Sequence, residues 1–212
     1  MVSPAPAVTD LDVDQRREPT TTWLVAQANI AAKTALLIML VLVLVDPSWG
    51  NLEGKAPGPR ALTYPMLAFI LPVWWLARGR LQPYPWVADL LVTVPCFSDV
   101  LGNRLDLYDQ IVWFDDWVHF MNTGLLSAAF LLLTRRSSET PGAILARSVA
   151  FGLSVSLLWE IGEYAAFITT SSEMPTAYAD TLMDLSLGWL GAVTAAVAVI
   201  VARRQASLRS EL

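Results

Sequence analysis

Charge is what this sequence has least of. Of its 212 residues only 16% are Asp, Glu, Lys or Arg, and 55% are hydrophobic. Soluble domains carry about 25% charged residues. Lysine occurs only at 33 and 55, and histidine only at 119. The basic residues are too few and too spread out to build a nucleic-acid-binding patch. One cysteine, Cys96, excludes an internal disulfide and any cysteine-based metal motif; inside an apolar segment it reads as a small buried hydrophobe. The start of the chain lacks the pattern of a signal peptide, a short basic region followed by an apolar stretch and a small-residue cleavage site. No alternating strand pattern is present either. Arginine outnumbers lysine twelve to two, and alanine, leucine and valine dominate, a composition of high-GC bacteria.

What is present is apolar residues in long blocks. Six blocks, at 23–45, 62–77, 86–101, 111–133, 144–169 and 181–202, are each measured against the ~20 residues that cross a hydrocarbon core. The second is short, and Pro95, Asp89 and Asp99 interrupt the third. Backbone polar groups in lipid must be satisfied within the segment, so the blocks are expected to be helices. The length leaves room for one domain. The expected organisation is a disordered cytoplasmic tail over 1–22, a transmembrane helical domain over 23–203 and a cytoplasmic tail over 204–212. Ten arginines (16, 17, 78, 80, 135, 136, 147, 203, 204 and 209) then fall on one side and only Lys55, Arg60 and Arg104 on the other. The positive-inside rule places both termini in the cytoplasm. The expected fold is all-α, a polytopic bundle of about six transmembrane helices in a bacterial inner membrane, with the bilayer as its first partner. Trp23, Trp49, Trp74, Trp75 and Trp86 sit at block ends as interfacial anchors.

This topology gathers the acidic residues at one level. Asp99 closes the third span; Asp115, Asp116 and His119 begin the fourth; Glu160 and Glu163 lie late in the fifth; Asp180 and Asp184 begin the sixth. At 1.5 Å per residue, all lie within ~10 Å of the outer interface. Asp115 and His119 are four apart, Glu160 and Glu163 three apart, Asp180 and Asp184 four apart, so each pair shares one helical face. Facing helices that each present two ligands build the metal sites of helical bundles. So many carboxylates cannot all remain ionised at close range without protons or a cation. Carboxylates with one imidazole suit a divalent metal such as Mg, Mn, Ca, Fe or Zn. Blander readings compete. Asp180 could cap the sixth helix, and Asp115 or Asp116 the fourth. Asp106 and Asp109 read as solvated loop residues. Lys33, in the middle of the first span, calls for a counter-ion, and Asp89 is the candidate. Gly152, Gly162, Gly188, Gly191 and Ala192 read as small residues for close helix packing.

Three motifs occur in order: Asp115-Asp116-Trp117-Val118-His119-Phe120 with Gly124 following, Trp159-Glu160-Ile161-Gly162-Glu163-Tyr164, and Asp180-Thr181-Leu182-Met183-Asp184-Leu185 with Gly191-Ala192 following. Together they resemble the YjdF-like family of bacterial inner-membrane proteins, a domain of unknown function. The resemblance covers residues 115–192. It implies a small multi-helix membrane protein, with Asp115, His119, Glu160, Glu163, Asp180, Thr181 and Asp184 as its motif residues. Tyr164 stands where the family is expected to have tryptophan, and Asp116 has no counterpart. The resemblance implies no reaction.

Three functional readings stay open. One is a metal-dependent membrane hydrolase or transferase, with a metal to activate water and a spare carboxylate as general base. Against it stands the want of an outer-side arginine cradle for phosphate, where only Arg104 lies near. Another is a transporter coupled to protons or divalent cations, favoured by the carboxylate ring but not by any internal repeat. The last is a non-catalytic membrane subunit whose polar cluster specifies packing.

Overall fold

The computed structural model describes residues 11–80, 83–136, 138–172 and 174–210. Every regular element among them is helical: α1 Leu11–Val45, α2 Pro57–Ala68, α3 Ile70–Ala77, α4 Trp86–Arg104, α5 Leu107–Gln110, α6 Phe114–Leu133, α7 Pro141–Ala166 and α8 Ala177–Ser210. Two single-turn 3-10 segments, Pro47–Gly50 and Ile168–Thr170, complete the set. All six apolar blocks are therefore helical. Of the expected N-terminal tail, residues 1–10 lie outside the described residues, and from Leu11 the backbone already belongs to α1. At the other end α8 runs through most of the expected C-terminal tail, and only 211–212 lie outside the described residues.

Among the described residues three helices are long and apolar enough to cross a membrane, at Thr21–Val45, Pro141–Thr170 and Ala177–Arg209, or four if the bent α2–α3 pair counts as one span. α4 and α6 fall short because they carry charged and polar residues: Asp89, Asp99 and Arg104 on α4, and Asp115, Asp116, His119 and Asn122 on α6. The outward faces are apolar, as a lipid-facing surface requires, with Val41, Leu62, Met66, Val73 and Leu158 all exposed.

Local chemistry explains the element ends. Pro47 cannot continue α1, and the Asp46 carboxylate caps the next turn by accepting from Ser48 N at 3.0 Å. Thr140 caps α7 in the same way, with Pro141 at the first helical position. The α2–α3 break is a proline effect. Pro72 has no N–H for the Ala68 carbonyl four residues back, so the helix opens at Phe69 and bends by 41°. Pro95 leaves α4 continuous.

The helices pack as two groups. α1, α2 and α4 enclose one core of Leu36, Met39, Leu40, Tyr64, Ala68, Cys96 and Val100. α6, α7 and α8 enclose another around Leu131, Ile144 and Ala196. α4 lies against α6 and joins the groups. Glycines set the closeness of the second group. A Cβ on Gly191 would run into the Phe120 carbonyl, and one on Gly124 would stand 3.2 Å from the Gly191 carbonyl oxygen. Gly152 and Gly188 are equally crowded, by Ala192 and by Ser156. Gly162 is different. A Cβ there meets nothing within 4 Å among the described residues, so it is not one of the packing glycines the sequence suggests.

Candidate functional site

The glycine contacts lie one turn from the polar residues of α6 and α8. Gly124 follows His119 and Gly188 follows Asp184, and the close approach they permit brings three helices' side chains together. His119 is buried at the centre. Its Nε2 lies 3.6 Å from Asp115 Oδ1, one turn back on α6, and 3.8 Å from Asp184 Oδ1 on α8. Its Nδ1 lies 3.6 Å from Glu160 Oε1 on α7. All three separations exceed hydrogen-bond range. Ligand atoms of Asp115, His119 and Asp184 lie within 4.8 Å of one another, and those of His119, Glu160 and Glu163 do the same.

Glu160 is held at one oxygen only. Oε2 accepts from Thr181 Oγ1 at 3.0 Å, whereas Oε1, facing His119, is buried with no hydrogen-bond partner among the described residues. An ionised carboxylate oxygen in that state costs more than a neutral group would. Glu163, one turn further on, is partly exposed, and its Oε1 lies 3.7 Å from Arg60 Nη2.

Arg60 is the residue beside the cluster that sequence reasoning missed, because the hydropathy pattern leaves it in an outer loop. It is buried in the first turns of α2. Its Nε donates to Asp99 Oδ2 at 2.9 Å, Nη1 donates to the Lys55 carbonyl, and its guanidinium sits 5.7 Å from the Phe167 ring centre. Tyr64 and Tyr108 donate to the two oxygens of Asp99 at 2.6 and 3.2 Å. The available signal was the four-residue spacing of Arg60 and Tyr64, which puts both on one face of α2. Asp99 therefore anchors Arg60, and among the described residues it belongs to neither ligand group that contains His119.

Two expected members stand apart. Asp180 is exposed, in the first turn of α8 and not at its N-cap, and Asp116 is half-buried; neither belongs to a ligand group among the described residues. Asp115 and Asp116 also lie in the first turn of their helix, not at its cap, where negative charge suits the helix dipole. Thr181 enters as the partner of Glu160. Lys33 is remote from the cluster and forms the anticipated pair with Asp89, at 3.0 Å. Asp106 and Asp109 are tied down: Asn51 donates to both, at 2.7 and 3.0 Å, and Lys55 donates to Asp109 at 2.7 Å, holding its carboxyl below the usual aspartate range.

An all-helical chain with a lipid-suited exterior and a buried carboxylate–histidine cluster is a membrane protein of the helical class. The chain belongs to the family described as predicted membrane protein DUF2238, whose profile matches residues 28–205. That match extends well beyond the 115–192 stretch of the three motifs, and it carries the name DUF2238, not YjdF. An uncharacterized protein of Thermotoga maritima is 32% identical over 153 residues, which cover 63% of this chain and 75% of the relative. No solved structure matches.

Proposed function

We propose that the cluster is a divalent-metal site of a membrane-embedded hydrolase or transferase. Asp115, His119 Nε2 and Asp184 would be the ligands. The observation that carries this reading is spacing. Donors 3.6–3.8 Å apart are too distant to hydrogen-bond, yet two donors that share an ion at about 2.1 Å stand roughly 3–4 Å from each other. Three protein ligands leave open positions for water and substrate, as catalytic metal sites require. Glu160, 3.6 Å behind Nδ1, would orient the imidazole once the ring closes that gap to a hydrogen bond. Glu163, partly exposed and steadied by Arg60, is the general base on a water whose pKa the metal would lower. Arg60 also supplies, from α2, the outer-side guanidinium that the sequence alone did not offer near the cluster. In this reading six helical passes put both termini in the cytoplasm of a bacterial inner membrane and the cluster near the outer leaflet.

Metal analysis of the protein purified in mild detergent tests the reading. The wild type is expected to hold about one equivalent of a divalent metal. His119→Ala and Asp184→Asn should lose it, Glu160→Gln should weaken it by about 10–100-fold, and Glu163→Gln should keep it. A folded, metal-free wild type across Mg, Mn, Ca, Fe and Zn titrations would sink the proposal.

One observation favours a carrier as the second reading. Buried hydroxyls of Thr123, Ser127, Ser148 and Ser156 continue from the cluster between α6, α7 and α8, and the Ser127 and Ser156 oxygens have no hydrogen-bond partner among the described residues. Proton or divalent-cation flux into proteoliposomes, lost in Ser127→Ala with Ser156→Ala, would support that reading. Flux no greater than in empty vesicles would exclude it.

A further inference from the structure

A second polar centre lies on the other helix group and serves none of the chemistry above. Lys33 projects from the middle of α1 into oxygens of three residues, one on α2 and two on α4. Its Nζ donates to Asp89 Oδ1 at 3.0 Å, to Thr93 Oγ1 at 2.8 Å and to the Ala68 carbonyl. The Phe69 ring centre lies 5.1 Å away. The Ala68 carbonyl is the one that Pro72 cannot satisfy, so the α2–α3 break creates the acceptor that Lys33 takes.

Contacts independent of Lys33 hold this cage in shape. Asp89 Oδ2 accepts from Asn29 Nδ2 and from Tyr84 OH, both at 2.6 Å. Thr93 Oγ1 lies 2.9 Å from Asn29 Oδ1 and 2.8 Å from the Asp89 carbonyl. Asn29, Asp89 and Thr93 are each almost wholly buried. A carboxylate, a hydroxyl and a freed backbone carbonyl, pinned from behind around one positive charge, make the donor set of a hard monovalent cation. Discontinuous helices whose unwound carbonyls coordinate ions are a recognised way to build such sites in membranes. A cavity of about 310 Å³, bounded by Asn29, Lys33, Asp89, Trp75, Tyr84 and Trp86, adjoins the cage.

We propose that the Lys33 ammonium is a tethered cation occupying a monovalent-cation site, and that the cage of Ala68, Asp89 and Thr93 binds an alkali cation when the ammonium is removed. The wild type carries its own occupant and is therefore indifferent to the alkali cation in its medium. The charge in the cage holds the α2–α3 bend against α1 and α4, and so sets the direction of α2, which carries Arg60 and Tyr64 to Asp99. This inference does not depend on the metal reading.

Thermal unfolding of the purified full chain tests it, at equal ionic strength in NaCl, KCl, n-propylammonium chloride and N-methylglucamine chloride. The wild type should show one Tm in all four. Lys33→Ala removes three methylenes and the ammonium, so its Tm should fall by roughly 10 °C in N-methylglucamine. At least half of that loss should return, saturably, with Na⁺ or K⁺, and Lys33→Ala with Asp89→Asn should show no such return. Recovery by propylammonium alone would overturn the proposal, because it would mean that the cage takes the alkylammonium it lost and not an alkali cation. So would a Lys33→Ala protein with the same lowered Tm in every salt. Lys33→Met with Asp89→Asn is the folding control. If it folds while Lys33→Ala folds in no salt, the proposal also fails.

Discussion

Arg60 shows how much one side chain can depend on distant partners. Its guanidinium is buried between Asp99 on α4 and Glu163 on α7. Removing one member of a buried pair leaves the other charge uncompensated, at a cost of about 3–5 kcal/mol. Arg60→Met should therefore destabilise the protein by that order, and Arg60→Met with Asp99→Leu should recover much of the loss, as read from denaturation of the detergent-solubilised protein. The Lys55–Asp109 pair lies outside the spans and behaves differently, because it is largely exposed. Its hydrogen bond to Lys55 keeps Asp109 ionised to lower pH than usual, so its contribution is present above the ordinary aspartate range and fades as pH falls through the folded-state value. Asp109→Asn should cost under about 1 kcal/mol at neutral pH, and the cost should shrink as the medium is acidified below the ordinary aspartate range, measured by comparing the stability of wild type and variant along an acid titration.

At the scale of the element, glycine means opposite things at 162 and at 191. Gly191 faces the Phe120 carbonyl with no room for a methyl group, whereas Gly162 faces open space. Gly191→Ala must push α8 from α6 and is expected to cost at least 1–3 kcal/mol, the usual range for overpacking. Gly162→Ala should gain about 0.5–1 kcal/mol through helix propensity. Because Gly191 spaces the helices that carry His119 and Asp184, Gly191→Ala should also lower metal occupancy, while Gly162→Ala should leave it unchanged. Prolines divide in the same way. Pro72 opens a helix whose freed carbonyl finds Lys33, whereas Pro95 is absorbed within α4.

For the whole molecule, the proposed six-pass topology fixes which loops face which side of the bilayer. Cys96 is the chain's single cysteine and is buried, so a cysteine introduced at the surface can be labelled without background. On the proposed topology Glu53→Cys should react with an impermeant maleimide added outside spheroplasts, and Arg136→Cys only after lysis. A reporter fused after Leu212 should remain cytoplasmic. Labelling of both cysteines from the same side would remove the six-pass arrangement, and with it the outer placement of the cluster.

Hydropathy in the sequence was enough to determine that the apolar blocks are helical, because backbone groups in an apolar setting must be satisfied within the segment; proline positions were not enough, since Pro72 breaks its helix and Pro95 does not. Spacing of three and four residues also determined that Asp115 faces the same way as His119, and Glu160 as Glu163. Tertiary structure alone decided which faces meet. It drew Asp184 in and left Asp180 and Asp116 out, because helix rotation depends on packing across Gly124 and Gly191. It turned Arg60 from a loop residue into the partner of Asp99, 39 positions away. Local patterning carries no information about such separations; the contact exists only once two apolar faces have closed and left a buried charge in need of its opposite.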